Sequence, residues 1–249
     1  MAVVHLLGTG AGASDASRTT TMLAFESEGR SLVVDCGGDV VQRLLAAGLG
    51  VEEIDALVIT HEHPDHVAGF PLFMEKIWLL GRRRPIPVHG IRPAIDQARR
   101  LWEAFETGGW EGVPEILWRE VAHEPGAPVL EDERWRVTAA PGIHGVPVAG
   151  LRVEDRRGGG VAAYSADTAK SDVITGLARG AALLVHEATG QTQGGHTTYL
   201  QAAEVARDAG AGRLVLVHLP PGVGEDDLRE ARQVFPETRL GEDGAAHAF

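Results

Sequence analysis

Four side chains able to ligate a metal ion fall within six residues, in the run His61-Glu62-His63-Pro64-Asp65-His66. They follow directly on Ala56–Thr60, an apolar run that reads as a buried strand. Donors placed just beyond the carboxyl end of such a strand project into the crevice where α/β sheets collect their ligands. His61 and His63 differ by two and face one side of an extended loop, while Asp65 and His66 open a helix and face another. One loop can therefore serve two ions. An isolated histidine is most often a packed or solvated side chain. Imidazole and carboxylate are the usual zinc donors, however, and four of them at one strand end point to a metal site.

Four side chains do not saturate two ions, so further donors must come from later strand ends. His144 follows the strand candidate Trp135–Ala139, Asp167 follows Val161–Tyr164, and His218 closes the apolar run Leu214–His218. His196, in Gly194-Gly195-His196-Thr197, stands just before a helical pattern. His5, His89, His123 and His247 have no comparable motif around them, and His186 reads as a core histidine at a strand end.

The elements that must position these groups alternate between short β-branched runs and helical patterns, with glycine or proline at the joins. Val3–Leu7, Met22–Glu26 and Ser31–Asp35 read as strands, Val40–Ala47 as a helix, and a second helix starts near Asp65. Val148–Val153 and Ala181–His186 are further strand candidates, Thr197–Ala209 is a helix with a threonine cap candidate, and Asp226–Gln233 is another helix. The second half thus echoes the first, without a repeat of fixed period. Residues 70–130 have mixed character; Trp78, Trp102, Trp110 and Trp118 there are candidates for core, lid or contacts within a homo-oligomer. Arg82-Arg83-Arg84 and Arg156-Arg157 read as solvated surface rather than as phosphate-binding runs.

At 249 residues the chain is sized for one α/β domain spanning 1–249, and 44% hydrophobic residues describe an ordinary soluble protein. A formal net charge of −12 disfavours nonspecific attraction to a polyanion. Cys36 is the only cysteine, which excludes an internal disulfide and a multi-cysteine zinc site and fits a reducing compartment. The start of the chain lacks a basic segment and a long apolar run, and no stretch reaches the roughly 18 apolar residues of a membrane span. Cytoplasm is the expected location, with no membrane partner.

Several motifs, taken in order, carry a family resemblance. They are His5-Leu6-Leu7-Gly8-Thr9-Gly10 with Arg18, Val34-Asp35-Cys36-Gly37 followed by Gln42, the histidine run at 61–66, and Tyr164-Ser165-Ala166-Asp167-Thr168. Leu183-Leu184-Val185-His186-Glu187-Ala188-Thr189 and Gly195-His196-Thr197-Thr198 complete the series. The series resembles the RNase Z branch of the metallo-β-lactamase superfamily over nearly the whole chain. The resemblance implies a four-layer αβ/βα sandwich, class α/β, and two divalent metal ions. His61, His63 and His144 would hold one ion, Asp65, His66 and His218 the other, and Asp167 would bridge them together with a hydroxide. Two such ions generate hydroxide at neutral pH and neutralise an anionic transition state. Asp65 would also accept a proton, and His196 would donate one to the leaving oxygen. Asp35 is placed to orient a ligand imidazole through its other nitrogen, and Glu187 to do the same for His196. Five imidazoles and two carboxylates suit zinc, with manganese, iron or cobalt as other occupants.

Three departures from that branch bear on the substrate. The tRNA-processing members carry a tRNA-gripping arm between the third-motif histidine and the bridging aspartate, but here 23 positions separate His144 from Asp167. After the last ligand this chain has Leu219-Pro220-Pro221-Gly222 in place of the branch's serine, arginine and tyrosine. The acidic balance adds no long-range pull toward RNA. A phosphodiesterase acting on a small phosphodiester is the expected function, resembling the compact members that cleave cyclic ribose phosphates, although the additional cysteine-rich zinc site of those members is absent. A tRNA 3′-processing endoribonuclease, a sulfatase or lactone hydrolase on the same fold, and a non-catalytic metal-binding scaffold are the alternatives. A flavin-linked diiron oxidoreductase is disfavoured, since such members usually have glutamate where this chain has His63.

Overall fold

A computed structural model describes residues 1–249. The β-branched runs form two seven-stranded sheets. The first holds β1 (Val3–Gly8), β2 (Met22–Ser27), β3 (Arg30–Val34), β4 (Ile54–Ile59), β5 (Ile86–Ile91) and β6 (Ile116–Val121). It is closed at one edge by a strand from the far end of the chain, β14 (Ala246–Ala248), in the order β14-β1-β2-β3-β4-β5-β6. The second holds β7 (Ala127–Glu131), β8 (Trp135–Pro141), β9 (Ala149–Asp155), β10 (Val161–Tyr164), β11 (Leu183–Glu187), β12 (Leu214–Val217) and β13 (Thr238–Leu240), in the order β13-β12-β11-β10-β9-β8-β7.

Both sheets follow one plan. From β14 to β3 neighbours pair antiparallel, and from β3 to β6 they pair parallel. From β7 to β10 they pair antiparallel, and from β10 to β13 parallel. The echo between halves that the sequence carries only qualitatively is therefore a repeat of topology. Central parallel strands are covered on both faces, which is why β11 and β12 are buried at every residue and read as continuous apolar runs.

Helices cover the outer face of each sheet: α1 (Val40–Ala46), α3 (Phe70–Leu79) and α4 (Arg92–Glu103) on the first, α5 (Asp172–Leu177), α6 (Tyr199–Ala209) and α7 (Arg229–Val234) on the second, giving the four-layer αβ/βα sandwich. Alternation decides which core each side chain joins. Leu183 and Val185 turn inward to the large core between the sheets, while Leu184 turns outward to the smaller core beneath α6 and α7. Thr198 caps α6: its hydroxyl accepts from Gln201 N at 3.2 Å while the Gln201 side chain accepts from Thr198 N at 3.1 Å. No helix is long and apolar enough to cross a membrane.

Three local readings change. Arg82 is not surface but fully buried, its guanidinium donating to the carbonyls of Val51, Ile54, Arg84 and Pro85, so it ties α3 to the strands beneath. The predicted helix Asp226–Gln233 is a 3₁₀ turn, Glu225–Leu228, running into α7. Residues 70–130, of mixed character in the sequence, hold α3, β5, α4, β6 and the start of β7, joined by loops. There Trp78 stacks on Trp110 with ring centroids 4.9 Å apart, Trp102 meets Trp110 edge-on, and Trp118 packs on Phe70.

Candidate metal centre

The expected donors converge on one crevice, each delivered by a strand end. The loop after β4 supplies His61 and His63, and the short helix α2 (Pro64–Val67), with proline at its first turn, presents Asp65 and His66. The loops after β8, β10 and β12 supply His144, Asp167 and His218. Tight backbone turns aim several of these groups: Asp35, Ala166 and His218 have φ of 62°, 50° and 54°, left-handed conformations that non-glycine residues adopt at a cost. Gly37 lets α2 approach; a Cβ there would sit 1.8 Å from the Asp65 carbonyl oxygen.

Two donor sets emerge. His63 Nδ1 lies 3.2 Å from His61 Nε2 and 3.1 Å from His144 Nε2. Asp65 Oδ2 lies 3.3 Å from His218 Nε2 and 3.5 Å from His66 Nε2. Asp167 Oδ2 touches both sets, at 3.1 Å from His218, 3.5 Å from His66 and 3.9 Å from both His61 and His144. Zinc–nitrogen bonds of about 2.0–2.1 Å put neighbouring donors of a tetrahedral ion about 3.3 Å apart, so these spacings fit cations at the two centres.

Protonation supports the same fit. His66 Nδ1 donates to Asp35 Oδ2 at 2.8 Å and His144 Nδ1 to the Gly195 carbonyl at 3.2 Å, so that in the neutral ring of each the lone pair is on Nε2. Burial and the neighbouring imidazoles push His61 down to about 2, so it too is a neutral donor. The Nε2 atoms of His61 and His144 thus both face His63 Nδ1, at 3.2 and 3.1 Å. His66 Nε2 and Asp167 Oδ1 are buried without a hydrogen-bond partner. Burial alone would raise the Asp65 carboxyl, but hydrogen bonds from His218 and His66 outweigh it and hold the group below the ordinary range. Burial likewise opposes ionisation of Asp167, and the charges of His218 and His66 overcome it. Burial also disfavours a charged His66, yet the carboxylates of Asp167 and Asp35 hold its pKa well above the ordinary value. The pocket therefore carries negative charge that a proton on His66 satisfies in the bare chain and that a divalent cation would satisfy in its place.

His196 stands beside this cluster, its ring stacked 5.4 Å from that of His218. Its Nδ1 donates to Glu187 Oε1 at 2.9 Å, and that hydrogen bond, outweighing burial, raises the His196 pKa above its ordinary value. Glu187 is buried and also accepts from Thr168 N at 3.0 Å and Thr189 N at 3.3 Å. Gly195 permits the close packing: a Cβ would meet the His144 Cα at 2.7 Å. His186, by contrast, is buried away from the donors, bonded through Nδ1 to the Glu187 carbonyl. Two participants were given no role from the sequence, Thr168 at the end of the Asp167 motif and Thr60 before His61. Thr168 Oγ1 accepts from Ile143 N at 2.9 Å, anchoring the loop that carries His144. Thr60 lies between Asp35 and His61 with its hydroxyl within 3.1 Å of both. Adjacency to the first ligand was the one signal for it.

The description "Beta-lactamase superfamily domain" belongs to the family model that matches residues 30–219. Ribonuclease Z of Methanothermobacter thermautotrophicus is 30% identical over 299 aligned positions, covering 98% of this chain and 95% of that protein. The probable metallo-hydrolase YhfI of Bacillus subtilis is 31% identical over 93% of each chain. The crystal structure of YhfI superposes at a TM-score of 0.83 and 28% identity over the whole of both chains. That of human tRNase Z, short form, does so at 0.82 and 26%, covering 99% of this chain and 98% of the other. The family match reaches across every strand end that bears one of the seven candidate donors, and the chain belongs to the metallo-β-lactamase superfamily, in its RNase Z-like group of metal-dependent hydrolases.

Proposed function

We propose that the chain is a dinuclear-metal phosphodiesterase acting on a small phosphodiester. In this reading His61, His63 and His144 hold one ion, Asp65, His66 and His218 the other, and Asp167 is common to both. One observation carries it: a single carboxylate oxygen, Asp167 Oδ2, lies within 3.1 to 3.9 Å of donor atoms from both sets. Zinc is the preferred ion, with manganese, iron or cobalt fitting the same mixed donors. When bound, the two ions would supply an acidified water at neutral pH and offset the charge that builds on the phosphoryl oxygens.

The remaining chemistry falls to side chains. Asp65 turns Oδ2 toward His66 and His218, which leaves Oδ1 to take up a proton from the attacking water. His196, whose bond to Glu187 favours the protonated ring, donates from Nε2 to the departing oxygen. Glu187 stays in place through the backbone N–H groups of Thr168 and Thr189, so the His196 ring is held in one orientation.

The preference for a small substrate rests on how the interval between His144 and Asp167 is filled. Strands β9 and β10, with a turn at residues 156–160, occupy it. The alignment with ribonuclease Z runs over 299 positions, more than the 249 residues of this chain, so that relative carries segments this one lacks. Protein loaded with zinc or manganese is expected to hold two ions and to turn over an aryl phosphodiester. Failure to take up any transition metal, or hydrolysis of sulfate esters or lactones without phosphodiesters, would overturn the reading. The identity to ribonuclease Z favours a second reading, endonucleolytic processing of the tRNA 3′ end. Correctly positioned removal of a 3′ trailer at low enzyme concentration would install it.

A further inference from the structure

Thr60 is the last residue before the ligand loop, fully buried, and every polar atom it has is engaged at the centre. Its N–H donates to Asp35 Oδ1 at 2.8 Å. Its carbonyl accepts from Ala149 N at 3.2 Å, which joins the end of β4 to β9 of the other sheet. Its hydroxyl lies 2.9 Å from Asp35 Oδ2, 3.1 Å from Oδ1 and 3.0 Å from His61 Nδ1. A carboxylate only accepts, so the single hydroxyl proton goes to Asp35 and the oxygen is left to accept from His61 Nδ1–H. That fixes the lone pair of His61 on Nε2, toward His63 and Asp167. The same Asp35 takes the Nδ1–H of His66 at 2.8 Å without an intermediary.

We infer that Thr60 is a positioning residue: through its hydroxyl one buried carboxylate, Asp35, sets the tautomer and ring orientation of a ligand in each of the two donor sets, directly at His66 and by relay at His61. The inference rests on the dinuclear reading of the centre and adds a prediction of its own, that the two sites are separable. Removing the hydroxyl leaves the Asp35–His66 bond intact and strips the constraint from His61 alone. Removing the charge of Asp35 disturbs both. Outer partners of this kind typically change metal affinity by about 10- to 100-fold.

Cobalt(II) titration of the metal-free protein, followed by its visible spectrum, tests this on wild type, Thr60→Ser, Thr60→Val and Asp35→Asn. Histidine ¹H–¹⁵N spectra of the zinc-loaded forms supply a second readout. Wild type and Thr60→Ser are expected to bind two equivalents and to show hydrogen-bonded Nδ1–H signals for both His61 and His66. Thr60→Val, equal in shape to threonine, is expected to bind one equivalent unchanged and the other about 10- to 100-fold more weakly, with only the His61 signal lost. Asp35→Asn should weaken both equivalents. If Thr60→Val fails to fold, Thr60→Ala takes its place with the same expectation. A hydroxyl-free variant that titrates as wild type, or that weakens both equivalents equally, overturns the relay while leaving the metal centre standing. Wild-type protein that binds no cobalt removes the metal centre, and the relay with it.

Discussion

The two halves of the molecule share a strand plan but divide the chemistry unequally. In the first half one strand end, that of β4, delivers four of the seven candidate donors, His61, His63, Asp65 and His66, with Thr60 just before them and Asp35 behind them from the end of β3. In the second half three separate strand ends deliver one donor each, and the adjoining loop adds His196 on Glu187. The same topology thus serves as a prefabricated claw on one side and as a set of single contacts on the other. Asp35 and Asp167 make the contrast concrete. Both follow the strand at which pairing changes from antiparallel to parallel, β3 and β10, yet one lies behind the candidate ligands and the other sits among them. A repeated fold fixes where groups can be placed, and the side chain chosen at each place decides what the place does.

The largest expected effect tests whether the claw works without its acid. Asp65→Ala should cut phosphodiester turnover by at least about 10²- to 10⁴-fold and lower metal content, measured by steady-state kinetics and elemental analysis. A variant retaining a third of wild-type turnover would break the comparison at its strongest point. Next, His196→Ala asks whether the second half contributes proton transfer rather than metal binding. Both ions should be retained, with turnover falling about 10²-fold on substrates with alkoxide leaving groups and far less on nitrophenolate esters. Equal losses on both would assign His196 a different task.

The close backbone approaches of each half can be compared through Gly37→Ala and Gly195→Ala. Each is expected to cost about 1–3 kcal/mol in denaturant unfolding, since a Cβ would collide with the Asp65 backbone in the first case and the His144 backbone in the second. The two should also part ways in cobalt spectra, each perturbing the donor set it abuts. The smallest effect is a near absence: between about 50 and 200 mM salt, turnover of a small diester should change only severalfold, whereas substrates held by many phosphate contacts lose about 10³- to 10⁵-fold in affinity. A steep loss would return RNA to consideration.

How readable each region was in the sequence follows the same division. Four donors after an apolar run announce themselves, whereas His144, Asp167 and His218 are ordinary single residues that acquire meaning only beside that cluster and the family motifs. The central strands β11 and β12 read well because burial on both faces leaves uninterrupted apolar runs. Residues 70–130 read badly for physical reasons. Pro71 and Pro93 look like breakers but sit at the first turns of α3 and α4, where no N–H is needed, and Pro87 lies within β5. Strand β6 ends one sheet with three half-buried and two exposed residues, so it lacks a clean alternation. Arg82 resembles its exposed neighbours until the carbonyls of Val51 and Ile54 are seen to surround it. Thr60 was hidden by its own plausibility, since a β-branched residue at a strand end needs no other explanation.

The edge strand β14 carries an implication for how the molecule is made. Strand β1 pairs on one side with β2, close by in the chain, and on the other with residues 246–248. Asp243 then takes the N–H and hydroxyl of Thr9, 234 positions away, and the N–H of Thr19. During synthesis the claw at 61–66 leaves the ribosome well before this edge is covered, and its sheet stays open along β1 until residues 246–248 have emerged. Contacts of such long range slow folding and leave a strand edge available for wrong pairing in the meantime. The half that looks self-sufficient in its chemistry is therefore the one whose folding must wait longest.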